Sequence, residues 1–190
     1  MILLLDNYDS FTWNLHHYLT QLTSEQVHVR RNDEITLEEI QQYQSIILSP
    51  GPGLPSQAGI MPLLIKQYCS EIPILGICLG HQAIGEAFDA HLENLDKVLH
   101  GVQREVIITD KEDRLFVNLD PKMMTGHYHS WVISRENFPA DFNITARDSN
   151  GIIMAISHKH YPLSGVQFHP ESVMTPMGLR IIENWLNFSS

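Results

Sequence analysis

The feature that most constrains the fold is an alternation of short apolar segments with amphipathic segments in the first half of the chain. Apolar strands are predicted at 2–5, 27–30, 45–49 and 73–77. Helices are predicted, from apolar residues that recur every three or four positions, at 11–22, 37–43, 60–68 and 79–88. This rhythm indicates an α/β fold with a mostly parallel sheet and helices on both faces. Ligands of such sheets bind beyond the carboxyl ends of the strands.

The second half of the chain has a different pattern, in which turn residues separate short strands. The predicted strands are 103–109, 128–134, 143–146, 152–157 and 165–168. We expect them to extend the same sheet as antiparallel additions, which makes the sheet mixed. A last helix is predicted from Thr175 and Pro176. Its apolar face consists of Leu179, Ile182, Trp185 and Leu186. With 43% hydrophobic residues, a chain of 190 residues can bury one core, so we expect a single domain over 1–190.

Charge and hydropathy exclude several classes of partner. The chain has 12 Lys plus Arg against 22 Asp plus Glu, a formal net charge of −10. Such a surface repels phosphate backbones and anionic membranes, so neither nucleic acid nor a membrane is an expected partner. The apolar opening ends at Asp6, too early for a signal sequence, and no stretch approaches the roughly 20 apolar residues of a membrane span. We expect a cytoplasmic protein.

One of the two cysteines lies in an unusual pentapeptide, Gly76-Ile77-Cys78-Leu79-Gly80, between a predicted strand and a predicted helix. This pattern is typical of a nucleophile elbow, in which flanking glycines permit a sharp turn and the side chain projects from the sheet. A thiol at a helix N-terminus favours its reactive thiolate form, and the N–H of Leu79 is free to stabilise an oxyanion. A small, inert, buried cysteine explains the pentapeptide equally well. Cys69 has no such context and is expected to pack in a helix.

A cysteine nucleophile needs a base and an orienting group, and the chain has 11 histidines. The segment "GVQFHPES" (165–172) stands out because His169 follows a predicted strand and Glu171 lies two residues later. A carboxylate beside an imidazole fixes its tautomer and stabilises the imidazolium. By itself this segment is more simply a surface turn, but together with the elbow it favours a base and its orienting acid.

Three motifs together resemble the class I, triad-type glutamine amidotransferases. They are the stretches "SPGPG", "GICLGHQ" and "QFHPES". The resemblance implies that Cys78 is the nucleophile, that His169 is the general base and acid, and that Glu171 orients the imidazole. It also implies that L-glutamine is the substrate and that this chain holds no cofactor and no metal.

The resemblance further implies a set of residues that bind glutamine. Gly51, Pro52 and Gly53 are expected to line the site, and a backbone N–H of this loop joins that of Leu79 in the oxyanion hole. Three more residues match glutamine-contacting positions of the family: Gln82, Ser130 and Trp131. Relatives often read Arg-Tyr-His-Ser-Leu where this chain has "HYHSW" (127–131). Trp131 replaces leucine without loss of chemistry if backbone groups hold the substrate.

The opening "LLDNYDSFTWN" (4–14) resembles the glutaminase subunits of two chorismate-using enzymes, anthranilate synthase and aminodeoxychorismate synthase. The implied partner is a chorismate-binding synthase subunit, component I, which also binds Mg²⁺. The stretches "LENLDKVLHG", "YHSWV" and "IENWL" resemble anthranilate synthase subunits more closely, and one subunit that serves both enzymes stays open. Polar residues among the aromatics of 6–13 indicate a partner-facing loop, although Tyr8 could instead belong to the core.

Other readings assign the same residues differently. His81 is a weaker candidate base because no carboxylate is evidently placed to orient it. The pairs His127/His129 and His158/His160 have the spacing of metal ligands, but no further ligand cluster accompanies them.

A cysteine hydrolase of the α/β-hydrolase type explains the elbow but not the Pro-Gly-Pro-Gly loop. A catalytically silent binding protein is expected to lose a triad member, whereas this chain keeps all three.

Overall fold

The computed structural model describes residues 1–189, and these form one nine-stranded sheet with five α-helices. The strands are β1 (Ile2–Asp6), β2 (Val27–Arg31), β3 (Ser45–Leu48), β4 (Ile74–Ile77), β5 (Leu92–Ile108), β6 (Lys122–Ile133), β7 (Phe142–Asp148), β8 (Ile153–His158) and β9 (Leu163–Val166). The helices are α1 (Thr12–Leu22), α2 (Leu37–Ile40), α3 (Met61–Tyr68), α4 (Leu79–Ala87) and α5 (Gly178–Ser189). Within residues 1–189 no helix combines the length and the hydropathy needed to cross a membrane.

The strand order divides the sheet into two halves. The order is β2-β1-β3-β4-β9-β8-β7-β5-β6. The first five strands in this order pair in parallel, and every pairing from β9 through β8, β7 and β5 to β6 is antiparallel. The mixed α/β sheet predicted from the sequence is thereby confirmed, with its parallel strands in the first half of the chain and β9 added to them.

Both faces of the parallel half are covered, because alternate residues of each strand point to opposite sides. On one face Leu3 and Leu5 contact the cluster that includes α2, α3 and α4. On the other face Ile2 and Leu4 contact the cluster that includes α1 and α5, among them the buried Trp185. Strands buried on both faces appear as continuous apolar runs, which is why these were predicted correctly.

Several predicted boundaries were wrong. Strands β5 and β6 are much longer than the predicted 103–109 and 128–134, because the first part of β5 is largely exposed and lacks an apolar alternation. Strand β9 was expected to be antiparallel, but it lies beside β4 and pairs with it in parallel. It ends at Val166, and the following residues keep only single backbone contacts with the sheet, such as the bridge between His169 and Gly126 of β6.

Two helices also differ from the prediction. Helix α2 begins with a capping box of Thr36 and Glu39 and ends at Ile40 instead of residue 43. Helix α5 begins at Gly178, after the predicted Thr175-Pro176 start, and its predicted apolar residue Leu179 is 38% exposed. The buried face of α5 includes Ile181 instead.

Candidate active site

The polypeptide turns sharply at Cys78, the residue between β4 and α4. Its φ of 52° and ψ of −98° are rare for a residue with a side chain. A Cβ atom on Gly76 would lie 2.5 Å from the carbonyl carbon of Gly80, and one on Gly80 would lie 2.6 Å from the carbonyl oxygen of Leu48. Because backbone atoms cannot yield, the glycines on either side are required. The elbow predicted from the sequence is confirmed.

The thiol of Cys78 lies at the N-terminus of α4, where the helix dipole attracts negative charge and the first N–H groups lack helical partners. The residue is only 5% exposed. The amide Nε2 of Gln167 lies 3.7 Å from the Cys78 sulfur, so a further N–H donor faces it. The first N–H of the helix belongs to Leu79, as the oxyanion-hole prediction requires, whereas the Leu79 side chain packs in the core.

His169 and Glu171 form a buried pair on the chain segment that follows β9. The Nδ1 atom of His169 lies 2.7 Å from Oε1 of Glu171, and both side chains are almost completely buried. The His169 backbone is fixed on both sides, since its N–H donates to the Gly126 carbonyl at 3.0 Å and its carbonyl accepts from Thr175 Oγ1 at 2.6 Å. With Nδ1 assigned as the donor to the carboxylate, Nε2 is left facing Cys78, with which the ring interacts.

Opposing effects act on the charge of this imidazole. Burial lowers the pKa of His169, but the interactions with Cys78 and with the Glu171 carboxylate outweigh it and hold the pKa well above its ordinary value. The His169 ring therefore favours its protonated form, which can donate a proton to a leaving group.

The Pro50–Gly53 loop is fixed against the end of β1 by buried amides. Asn7 donates from its backbone N–H to Ser49 Oγ and from Nδ2 to the Ser49 carbonyl, both at 2.8 Å. Asn32 Nδ2 in turn donates to Asn7 Oδ1 at 2.9 Å. A Cβ on Gly51 would lie 2.6 Å from the Asn7 carbonyl oxygen. The loop backbone therefore lies directly against β1, beside the elbow.

A pocket of about 200 Å³ opens between the elbow, this loop and the β5–β6 hairpin. It is lined by Cys78 and by all but one of the predicted glutamine-binding residues: Gly51, Pro52, Gly53, Gln82, Ser130 and Trp131. The exception is Leu79, whose predicted contribution is a backbone N–H. Gln82 Nε2 donates to the Trp131 carbonyl at 2.8 Å and lies 3.3 Å from Gln167 Oε1. This amide therefore ties α4 to the opposite wall of the pocket.

The remaining lining residues were missed by the sequence interpretation. They are Val98, Leu99, His100, Tyr128 and His129. The pairing of β5 with β6 shifts register between Asn94 and Leu99 and again between His100 and Val102. These bulges bend the hairpin toward the pocket. Tyr128 and His129 could have been found, because they precede Ser130 in β6. No sequence signal marks a bulge in β5.

The sequence of the chain is similar to those of known enzymes. The family model described as glutamine amidotransferase class-I matches residues 3–188. The chain belongs to this family. It is 46% identical over 190 residues to anthranilate synthase component 2 of Cyanophora paradoxa, a match that covers 98% of each chain. It is 44% identical over 189 residues to aminodeoxychorismate synthase component 2 of Klebsiella aerogenes, covering 98% of this chain and all of that one.

A solved structure from Thermoplasma acidophilum, described as part of a GMP synthase, has the same fold. Its TM-score is 0.88 at 26% identity, and the match covers 99% of this chain and 92% of that one. The two component 2 relatives differ in the enzyme they are named for, yet both match almost end to end. The protein is accordingly a class I glutamine amidotransferase, an enzyme, and its acceptor pathway is a separate question.

Several other histidines that the sequence suggested as a base or as metal ligands are buried, and burial lowers their pKa values. His81 is completely buried against Gly165, lines no part of the glutamine pocket, and has its pKa lowered to about 3 by burial. His127 Nδ1 lies 3.0 Å from His129 Nε2, and burial lowers their pKa values to about 4 and 3. His158 Nδ1 instead accepts two backbone N–H groups in a turn. Among residues 1–189 no group of three or more His, Cys, Asp or Glu side chains is arranged to hold a metal ion.

The second cysteine and the first loop of the amidotransferase were also assigned from the sequence. Cys69 caps the end of α3 and packs in the core, where burial raises the pKa of its thiol. Tyr8 is 51% exposed, so the reading that placed it in the core is wrong. Its hydroxyl donates to the Asp33 carboxylate at 2.9 Å, and the Arg31 guanidinium lies 4.9 Å from its ring. Trp13, in the first turn of α1, is 65% exposed.

Proposed function

We propose that this chain is the glutaminase subunit of an anthranilate synthase. It would hydrolyse L-glutamine at Cys78 and deliver the ammonia to a chorismate-binding synthase subunit. The observation that carries the proposal is the row of three interacting buried side chains, Cys78, His169 and Glu171. Cys78 lines the pocket of about 200 Å³. Each member of this row has the chemistry that amide hydrolysis through a thioester requires.

In the first half of the reaction the Cys78 thiolate attacks the side-chain amide carbon of glutamine. The carbonyl oxygen becomes an oxyanion, which accepts hydrogen bonds from the N–H of Leu79 and from one N–H of the Gly51–Gly53 loop. His169 gives its Nε2 proton to the amide nitrogen, the carbon–nitrogen bond breaks, and ammonia leaves. The product is a γ-glutamyl thioester on Cys78, and His169 is neutral.

In the second half the neutral imidazole takes a proton from water as the water oxygen attacks the thioester carbon. The carbon–sulfur bond breaks, glutamate leaves, and the Cys78 thiolate and the His169 imidazolium are restored. Glu171 makes and breaks no bond. It keeps the ring in one tautomer and stabilises its positive charge.

The ammonia that leaves Cys78 must reach the acceptor before it is protonated. Ammonia that escapes into neutral water is protonated and ceases to be a nucleophile, so a sheltered transfer to the acceptor is needed. A second opening of about 440 Å³ runs from Cys78 and His169 to the exposed loop at Tyr8 and Ser10. We therefore place the synthase subunit on the 6–13 loop, where it would cover this opening.

The assignment to anthranilate synthase, as opposed to aminodeoxychorismate synthase, depends on sequence similarity alone. Support for anthranilate synthase comes from the 46% identity to a relative of that name and from the stretches "LENLDKVLHG" and "IENWL". The 44% identity to an aminodeoxychorismate synthase component supports the alternative, and a subunit shared by both enzymes accounts for both likenesses. Retention of Cys78, His169 and Glu171 argues against a catalytically silent protein.

The deciding experiment is reconstitution with each kind of synthase subunit. The purified chain is mixed with an anthranilate synthase component 1 or with an aminodeoxychorismate synthase component 1, and product formation from chorismate, Mg²⁺ and glutamine is measured. Ammonium salts in place of glutamine show that each synthase subunit is active. Glutamine-dependent anthranilate formation alone supports the proposal, product from both mixtures identifies a shared subunit, and aminodeoxychorismate alone contradicts the proposal.

A further inference from the structure

Two aromatic rings contact the imidazole of His169 at once. The ring centroid of Tyr128 lies 4.9 Å from that of His169, and the centroid of Phe11 lies 5.7 Å from it, both edge-to-face with interplanar angles of 68°. Phe11 and Tyr128 also contact each other, with centroids 5.1 Å apart. We call these two rings the aromatic clamp. Spacings of this kind are favourable for aromatic pairs and leave little free space between them.

The clamp supplies a restraint that the hydrogen bond to Glu171 does not. The last torsion of a histidine side chain is soft, because rotation about a bond to a planar ring has broad minima. The contact of Nδ1 with Glu171 fixes one corner of the ring, whereas Nε2, the corner that faces Cys78, has no conventional hydrogen bond to any of residues 1–189. Rings packed on the imidazole limit the tilt of this second corner.

The position of Phe11 is itself fixed by the preceding loop. Its backbone N–H donates to Asp9 Oδ1 at 2.7 Å, and it caps the start of α1. Asp6 Oδ1, at the end of β1, accepts from the N–H groups of Tyr8 and Asp9 and from the Thr12 hydroxyl, at 2.8 to 3.3 Å. The loop that exposes Tyr8 to solvent therefore also presses Phe11 against the imidazole.

We propose that Phe11 is a positioning residue for His169, which it holds, together with Tyr128, at the angle that aims Nε2 at the reacting sulfur and amide nitrogen. The inference rests on the proposed function, because it presumes that His169 transfers the proton. Phe11 touches no reacting atom in this account. A poorly aimed imidazole transfers the proton more slowly without changing how glutamine binds, so the effect belongs to kcat and not to KM.

The test compares variants in the reconstituted complex and in the chain alone. Phe11→Leu removes the flat ring and retains apolar volume, and it is expected to lower kcat for glutamine hydrolysis by roughly 10- to 100-fold with KM essentially unchanged. Phe11→Tyr keeps the ring and adds a hydroxyl to a residue that borders the 440 Å³ opening. That variant is expected to retain wild-type kcat. Should Phe11→Leu not fold, Phe11→Met gives the same comparison.

A matched control separates positioning from packing. Phe138 is also partly buried and contacts another phenylalanine ring, Phe142, at 6.3 Å, on a different part of the surface. Phe138→Leu is expected to lower the melting temperature at least as much as Phe11→Leu and to leave kcat unchanged. Ammonium-dependent synthesis by the complex stays normal in all variants, because the acceptor site lies on the partner.

Results that contradict the positioning role of Phe11 differ from those that contradict the proposed function. A Phe11→Leu variant with wild-type kcat, a loss that appears only in KM, or a Phe11→Tyr variant as slow as Phe11→Leu would overturn the inference and leave the proposed function intact. A wild-type complex that hydrolyses no glutamine would overturn the proposed function, and the inference with it.

Discussion

The parallel and antiparallel halves of the sheet contribute different parts of one site. The parallel half supplies the Cys78 elbow, the Gly51–Gly53 loop and, directly after β9, His169 and Glu171. Its central strands are completely buried and its turns depend on close backbone contacts. The antiparallel half supplies the β5–β6 wall of the pocket from a bulged hairpin whose β5 strand is largely exposed. The proposed reacting groups thus lie on the rigid half, and the proposed substrate wall lies on the half that tolerates irregularity.

This division predicts different consequences for changes in the two halves. A change at the carboxyl ends of the parallel strands is expected to affect bond making, because those ends hold the proposed nucleophile, base and oxyanion donors. A change in the hairpin affects how glutamine is held. A change at an exposed side chain of the 6–13 loop, such as Tyr8, affects only what docks there.

The largest effect is expected for Cys78→Ala in the reconstituted complex. Without the thiol no thioester forms, so glutamine-dependent synthesis falls by about 10⁴-fold or more. Synthesis from ammonium salts at alkaline pH is unchanged, because the partner uses ammonia whatever its origin. Product assays with both nitrogen sources check this prediction. Substantial glutamine-dependent turnover by the variant would show that Cys78, on the parallel half, is not the nucleophile.

The next largest effect is expected at His169, where alanine removes the proton transfer itself. His169→Ala is expected to lower kcat for glutamine hydrolysis by about 10²- to 10⁴-fold. Glu171→Gln keeps an oxygen near Nδ1 but removes the negative charge, so it lowers kcat by less. Steady-state kinetics of both variants are compared with wild type. Wild-type rates in both would exclude the triad, and a greater loss in Glu171→Gln would reverse the assigned roles.

A pair of glycine variants compares the rigidity of the halves. Alanine at Gly76 meets the Gly80 backbone at 2.5 Å, and we expect a loss of about 3 kcal/mol in the free energy of unfolding. Alanine at Gly101, in the β5 bulge, has its nearest contact at 3.8 Å and is unfavourable only through its φ of +65°. There we expect a loss of about 1 kcal/mol. Denaturant titrations of the two variants decide the order, and equal losses would contradict a difference in rigidity.

The smallest effect on stability is expected at the outer loop. Tyr8→Ala changes the free energy of unfolding by roughly 0.5 kcal/mol, as is usual for an exposed side chain, and leaves the basal glutaminase rate unchanged. It weakens association with the synthase subunit if that subunit docks on the 6–13 loop. Phe188→Ala, at an exposed aromatic residue on α5, serves as the control. Calorimetric titration showing wild-type affinity for Tyr8→Ala would exclude docking at this residue.

The halves also differ in how far their sequences predict them. Strands such as β1 and β3 are buried on both faces and appear as unbroken apolar runs, so their positions follow from hydrophobicity. The elbow and the His169–Glu171 pair follow from short motifs whose spacing has a chemical reason. The exposed start of β5 offers no apolar pattern, and its bulges depend on pairing with a distant strand. The contact of Phe11 with His169 joins residues far apart in sequence and has no local signal.

The most direct test of the account is covalent labelling by a glutamine analogue that carries an electrophilic diazoketone. Such an analogue occupies the glutamine pocket and captures the attacking atom. The account predicts that mass spectrometry finds the adduct on Cys78, that excess glutamine prevents it, and that Cys69, buried at the end of α3, stays unmodified. An adduct on Cys69, or labelling of Cys78 that glutamine does not slow, would contradict the assignment of Cys78 as the nucleophile.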